Sequence, residues 1–191
     1  MKTYRSFISA AVTICGLFAG SAVQAEQKLV QPQSEIVFVS KQMGVPVEGH
    51  FKKFDAQIAF EQTKPEASKI AFTVDIASAT IGVPETDAEL PKATWFNTAK
   101  FPQATFQSTS VKGLGVGKFE VSGKLSVKGA SRDVVIPVAL VQAGGNTVAT
   151  GTFAVKRLAF KIGENEWADT SMVADDVQVK FRLALTGVGK L

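Results

Sequence analysis

The chain has 191 residues, 46% of them hydrophobic and 20% charged, with a formal net charge of +4, one cysteine and one histidine. That length suits one domain of ordinary size, and the basic residues are scattered singly, unlike the concentrated footprint of a nucleic-acid binder. With Cys15 in the leading segment and His50 alone, neither a typical zinc site nor a Cys/His nucleophile pair can be assembled.

Lys2 and Arg5 precede the apolar stretch "FISAAVTICGLFAG" (7–20), and "SAVQA" then sets Val23 and Ala25 at the spacing of an export cleavage site. Fourteen residues are too few to span a bilayer, which needs roughly 20. Residues 1–25 are therefore predicted to be a cleaved signal peptide and residues 26–191 the mature domain. Loss of Lys2 and Arg5 lowers the net charge from +4 to +2. Cys15 lacks the Leu and small residues that precede a lipid-attachment cysteine and leaves with the signal, so packing rather than disulfides must hold the fold. No low-complexity linker, Pro-rich run or fixed repeat divides the domain.

Period-two alternation then recurs along the chain. It runs through "SEIVFVSKQMG" (34–44) and the long "VEGHFKKFDAQIAFE" (47–61), and "SKIAFTVDIAS" (68–78) sets Ile70, Phe72, Val74 and Ile76 on one face. In "KFEVSGKLSVK" (118–128), Phe119, Val121, Gly123, Leu125 and Val127 oppose a face that includes Lys118, Glu120, Lys124 and Lys128. "SRDVVIPVAL" (131–140) and "DDVQVKFRLAL" (175–185) keep the pattern, the latter with Val177, Val179, Phe181, Leu183 and Leu185 in phase. "GLGVG", "KGAS" and "AGGN" punctuate these runs as turns. The segment 84–102 breaks the rhythm: Thr86 and Glu89 stand at capping-box spacing and Pro91 stops any helix, which predicts short helical turns in the 84–100 connection.

About eight one-faced strands without a helical layer leave a sandwich or a barrel rolled around its own apolar face, and the long unbroken runs favour an all-β antiparallel barrel. A membrane barrel would turn its apolar face to lipid, and whole strands carrying Lys118, Lys124, Lys180 and Arg182 on the other face speak against that as they do against any membrane-spanning reading. The lumen is predicted to be lined by Phe38, Phe51, Phe72, Phe106, Phe119, Val121, Leu125, Val138 and Phe181. Fourteen phenylalanines against one tyrosine suit smooth walls for a flexible hydrocarbon chain.

Polar candidates are few. His50, out of the apolar phase, should face solvent, and no nucleophile-elbow sequence accompanies it. Glu164, Glu166, Asp169, Asp175 and Asp176 lack the spacing of a calcium loop and read as a solvated rim. Arg157 is in phase with Phe153 and Val155, after which the apolar phase shifts to Leu158, Phe160 and Ile162, as at a β-bulge. Its guanidinium should either meet a ligand's polar head or sit at the rim, paired with an acid such as Asp169. No catalytic residue and no cofactor is expected, although an enzyme acting on a hydrophobic substrate and a stress-related or partner-binding domain with a filled core stay open as alternatives.

"WFNTAKFPQATFQSTSV" (95–111), "GKLSVKGASRDVVIPV" (123–138), "RLAFKIGENEW" (157–167) and the opening 34–60 resemble the YceI-like family of exported polyisoprenoid-binding proteins. The resemblance implies an extended eight-stranded, lipocalin-like barrel in the periplasm, enclosing a long isoprenoid or other amphiphilic lipid. Gln42 and the Glu89–Leu90 pair stand where many members have histidines, so head-group contacts through those histidines do not carry over. The C-terminal "GENEWADTS" region resembles domains found beside cytochrome b561 modules, which implies a quinone-like ligand and a functional link to a membrane cytochrome b561; the sequence leaves the oligomeric state open, a homodimer included.

Overall fold

A computed structural model describes residues 26–191; the expected signal segment, residues 1–25, lies outside the described residues. Eleven strands form one antiparallel sheet: β1 (Lys28–Leu29), β2 (Glu35–Gln42), β3 (Val45–Phe51), β4 (Phe54–Ala59), β5 (Lys69–Asp75), β6 (Ala79–Thr80), β7 (Gln103–Gly115), β8 (Lys118–Val127), β9 (Ala130–Ala143), β10 (Asn146–Lys156) and β11 (Asp176–Thr186). The one short α-helix among the described residues, α1 (Pro84–Asp87), lies between β6 and β7.

The strand order is β4-β5-β7-β8-β9-β10-β11-β2-β3-β6, with β1 paired to β11. From β7 to β11 each strand pairs with its successor, so the sheet follows the chain and curls. The segment 47–61, expected as one long strand, breaks at Lys52–Lys53 into β3 and β4, which lie near opposite ends of the strand order. One run thus serves two neighbours, β3 pairing β2 and β4 pairing β5. Counting β3 and β4 as that one run gives the eight long runs expected, and β1 and β6 are two-residue additions. Gln27 helps to bring the ends together: its side-chain amide donates to the Phe60 carbonyl at 2.9 Å and accepts from the Phe60 N–H at 2.8 Å. Just past β4 and just before β1, it does the work of a ladder pair.

The alternation is realised as expected. Phe106, Phe119, Val121, Ile136, Leu140, Leu183 and Leu185 are buried in one cluster inside the curl. In β7 the register slips between Ser108 and Ser110, which shifts the inward phase from Phe106 to Val111. At the end carrying the 143–146 and 115–118 turns, Leu29, Val188 and Leu191 pack onto this cluster, and Gln142 holds the tail by bonding Gly189 O and Leu191 N. At the opposite end, Ile76, Leu90 and Phe96 pack with Val127 and Ile162 as a second cluster. The 84–100 connection therefore caps the curl rather than covering a face.

Three local readings are corrected. Thr86 lies inside α1, whose N-cap is Val83 without a side-chain bond, so the capping box does not form; Asp87 instead accepts from Thr80 Oγ1 and, at 2.6 Å, from the Ile81 N–H. The bulge at Arg157 is a strand end, since β10 stops at Lys156 and a 3₁₀ turn spans Arg157–Phe160. Lys128 does not face solvent. At the β8–β9 turn its φ of 48° tips the side chain inward, where Nζ donates to Lys161 O at 2.5 Å and to Glu164 at 2.9 Å.

Inside and outside can be exchanged one residue at a time. Phe119 is 5% exposed and packs edge-on against Phe60 at 5.0 Å, whereas Val135 on β9 is 56% exposed. Phe119→Lys is expected to cost about 3 kcal/mol or more in packing alone, with an unpaired buried charge added. Val135→Lys should stay within about 0.5 kcal/mol of the parent. Urea melts of both check this; equal stabilities would reverse the assignment of the two faces.

Candidate functional site

Every inward strand contributes to one elongated cavity. It encloses about 270 Å³ in which the centre of a water-sized sphere can move, space for roughly nine waters at the ~30 Å³ each takes in the liquid, far beyond a packing defect. Phe38, Phe51, Phe72, Phe106, Phe119, Val121, Leu125, Val138, Phe181 and Arg157 all line it, so the sequence-derived set is brought together in one place. Ten of the twelve phenylalanines in residues 26–191 face this cavity, which explains why the composition is so rich in them.

The rings lie against the wall because glycines lie beneath them. A Cβ on Gly49 would sit 2.2 Å from Phe38, one on Gly123 2.4 Å from Phe106, and one on Gly151 2.4 Å from Phe181. Gly49 pairs directly with Phe38 and Gly151 with Phe181 across neighbouring strands. With no side chain below, each ring drops onto the sheet instead of projecting across the lumen. Gly49 and Gly151 were missed in the sequence; their signal is a glycine in the apolar phase of an otherwise regular strand.

Arg157 does line the cavity, but its charge is spent on the backbone. Nε donates to Ala174 O at 3.1 Å, Nη1 to Ile162 O and Gly163 O at 2.9 Å each, and Nη2 to Trp167 O at 2.7 Å and Val173 O at 2.6 Å. All five N–H donors of the guanidinium are thereby used. Burial pulls its pKa below the ordinary value, with Asp175 opposing the shift, and the residue is only 2% exposed. Both expected partners, a ligand head and Asp169, give way to carbonyls of the segment 162–174, which wraps the side chain. Gly163 is part of that wrap: its φ is +73° and a Cβ there would meet Nη1 at 2.4 Å.

Four of the five late acids are engaged in the structure as well. Glu164 binds Lys128, Asp175 accepts the Leu158 N–H, Asp176 pairs with Lys156, and Asp169 accepts from the Ser171 N–H and hydroxyl. His50 is exposed on β3, with Nε2 3.7 Å from Glu48. Trp95 and Trp167 meet at the capped end with their rings tilted by 48° and their centroids 5.4 Å apart. Among the described residues, only Ser40, Trp95 and Arg157 bring polar side-chain atoms to the cavity wall. Ser40 Oγ and Trp95 Nε1 are the buried side-chain atoms without a hydrogen-bond partner among the described residues.

An antiparallel sheet curled into a half-barrel around an apolar cavity, with short elements over its ends, defines a lipocalin-like protein. The chain belongs to the YceI-like family, whose domain model matches residues 28–185. A UPF0312 protein of Ectopseudomonas mendocina is 32% identical over 144 residues, 73% of this chain and 75% of its own length. The crystal structure of Burkholderia cenocepacia BcnA superposes with a TM-score of 0.79 at 40% identity, covering 82% of this chain and 98% of that one. A polyisoprenoid-binding domain from Saccharophagus degradans shares the fold at 17% identity, with a TM-score of 0.68 over 84% of this chain and 98% of its own.

Two outcomes follow from the capped end. Arg157→Met keeps the apolar stem but strands five carbonyls, of which those of Gly163 and Val173 are buried and each cost about 1–3 kcal/mol if left unpaired, so a fall in stability of several kcal/mol is expected. Calorimetry of the Arg157→Met and Gly163→Ala proteins checks it: unchanged melting of both would free the guanidinium for a ligand.

Asp87 is held below its ordinary pKa of 3.8 by the Thr80 hydroxyl and then the Ile81 N–H, and Asp169 likewise by Ser171. A carboxyl lowered on folding stabilises in full above its unfolded value and loses that contribution as pH falls through the folded one. Acidification below about pH 4 should therefore loosen the capped end first. Emission from Trp95 and Trp167, the chain's two tryptophans, should shift before the far-UV signal of the strands, and Asp87→Asn should begin the loosening at higher pH. A coincident loss of both signals in both proteins would contradict this.

Proposed function

We propose that this is a periplasmic binding or carrier protein that holds a long isoprenoid, in the finer reading a quinone, or another amphiphilic lipid chain in the lumen of its half-barrel. The single observation that carries the reading is the cavity: elongated, walled by phenylalanine and aliphatic side chains, and kept hollow by Gly49, Gly123 and Gly151. A flexible hydrocarbon needs such a wall, which offers contact area and asks for few hydrogen bonds. Support also comes from the shared fold of the domain from Saccharophagus degradans, which is described as polyisoprenoid-binding.

The protein acts without catalysis in this reading. His50 faces outward beside Glu48, and the acids of the capped end are engaged in holding that end. A filled-core domain that only docks partners is disfavoured by the size of the lumen. The signal-like residues 1–25 support export, and a second copy of the chain and a membrane cytochrome b561 complete the proposed setting.

Mass spectrometry of an organic extract of the purified protein tests the proposal. An isoprenoid or other long-chain lipid in near-stoichiometric amount is the expected result. A lipid-free extract, together with no uptake of added polyisoprenoid, would leave the filled-core alternative. Fractionation of cells making the full chain should place the processed protein in the periplasm, and a chain starting at residue 26 should remain inside.

A further inference from the structure

We propose that the tip of the β7–β8 hairpin, together with the neighbouring end of β9, is a docking surface for an anionic phospholipid bilayer. This rests on the lipid-binding reading above and adds the partner from which the lipid is taken.

The exposed large hydrophobic side chains gather mainly at the two ends of the half-barrel. At the end closed by the tail they form a row. Val116, at the hairpin tip, is 92% exposed, and Leu114 beside it and Val141 on β9 are each more than half exposed. The β8–β9 register sets Lys118 opposite Ala139, and the Gly117 carbonyl accepts from the Leu140 N–H at 2.7 Å. Continued by one residue, that pairing brings Val116 beside Val141. Val148 on β10 stands opposite Val141 and extends the row. Glycine and small polar residues suffice to turn a hairpin, so valine at its most exposed position adds nothing to the fold and marks a contact surface.

Charge decides which end meets a membrane. Within three residues of Leu114, Val116 and Val141 along the chain stand Lys112 and Lys118 and no acid. Lys190 joins them, lining a surface hollow with Gly144, Gly145 and Asn146 of the adjoining turn. None of these three lysines is in an ion pair among the described residues. Glu120 stands opposite Lys112 across the ladder, which leaves Lys118 and Lys190 as the surplus. At the capped end the same test around Met43, Val45, Val83 and Met172 finds Glu48, Glu85, Asp169 and Asp175 against Lys41 alone. An anionic surface repels that end and attracts the other. Apolar side chains flanked by lysines fit the boundary between acyl chains and head groups, the first buried and the second on phosphate. The same surface carries the latch of the lumen: Gln142, next to Val141, bonds Gly189 O and Leu191 N, and Val188 lines the cavity. Docking there sets the tail-closed end of the lumen against the bilayer that holds the lipid.

Residues 26–191 contain no cysteine, so a single introduced one can report position. The mature Val116→Cys and Met43→Cys proteins, each labelled with a polarity-sensitive dye, are mixed with phosphatidylcholine vesicles with and without phosphatidylglycerol. The dye at 116 should shift to the blue on the anionic vesicles only, and the dye at 43 on neither. In co-sedimentation, Val116→Asp and Lys118→Glu should each bind the anionic vesicles about tenfold less than the parent, with melting temperatures unchanged. A parent that binds neither vesicle overturns the assignment, as does one that binds both alike or shifts the dye at 43 as much as that at 116. A parent dimer that Val116→Asp splits into monomers, without vesicle binding, gives the row to a second copy and overturns it too. Uptake of a polyisoprenoid from detergent solution separates this from the lipid reading: parent and Val116→Asp should take up equal amounts. A parent that binds anionic vesicles but takes up no polyisoprenoid keeps the docking surface and loses the lipid reading.

Discussion

The inner face of this sheet is apolar along its long strands, and among the described residues no helical layer covers it. That constraint organises the molecule. With α1 only four residues long and the remaining helical turns shorter than two turns of helix, the sheet can shield its apolar face only by curling around it. Curling demands that one strand run serve both ends of the sheet, which the break at Lys52–Lys53 accomplishes, and that the gap be bridged, which Gln27 does with a side-chain amide. Curling alone would let large rings collide across the axis. The glycines opposite Phe38 and Phe181, and the one beneath Phe106, convert that crowding into a wall.

The two ends are closed by different means. At one, the C-terminal tail lays Val188 and Leu191 on the core and is tied by Gln142. At the other, two connections without strands must be buried, and buried backbone carbonyls require donors. Arg157 supplies five at once, and Lys128 with Glu164 ties the β8–β9 turn to the same segment. The positive charges that sequence position places near the lumen are thus consumed in making its cap. The consequence for function is chemical: the cavity presents an indole N–H and a hydroxyl, not an ion.

Much of this was legible in the sequence, for an identifiable reason. Side-chain period two assigns inside and outside residue by residue, so the nine hydrophobic positions from Phe38 to Phe181 could be named before any fold was known, and all line the cavity. Arg157 was placed correctly on the inner face by the same rule. Its partners were not legible, because they are main-chain carbonyls delivered by a segment that folds back, and carbonyls carry no residue-specific mark. Lys128 misled because alternation continues smoothly to the end of β8, while a left-handed turn residue obeys the turn and not the strand. Ser40 was readable in principle as the polar terminus of the series Ile36, Phe38, Ser40; Trp95, in an irregular segment, has no phase to read.

Hollowness itself bears on function. At about 24 cal/mol per Å³, an unfilled apolar cavity of 270 Å³ would cost on the order of 6 kcal/mol, comparable with the whole net stability of a domain. Water relieves little of this, since apolar cavities stay dry unless polar groups hold the water, and among the described residues only two buried side-chain atoms lack a partner. An occupant removes the deficit, and anything that binds only the folded state stabilises it by mass action. A sequence that keeps glycine beneath three separate rings, where larger residues would drive those rings into the lumen, maintains a space whose cost is recovered only when a chain lies in it. Stability and occupancy are therefore one coupled quantity in this protein, and the lumen is better understood as half of a complex than as a loosely packed core.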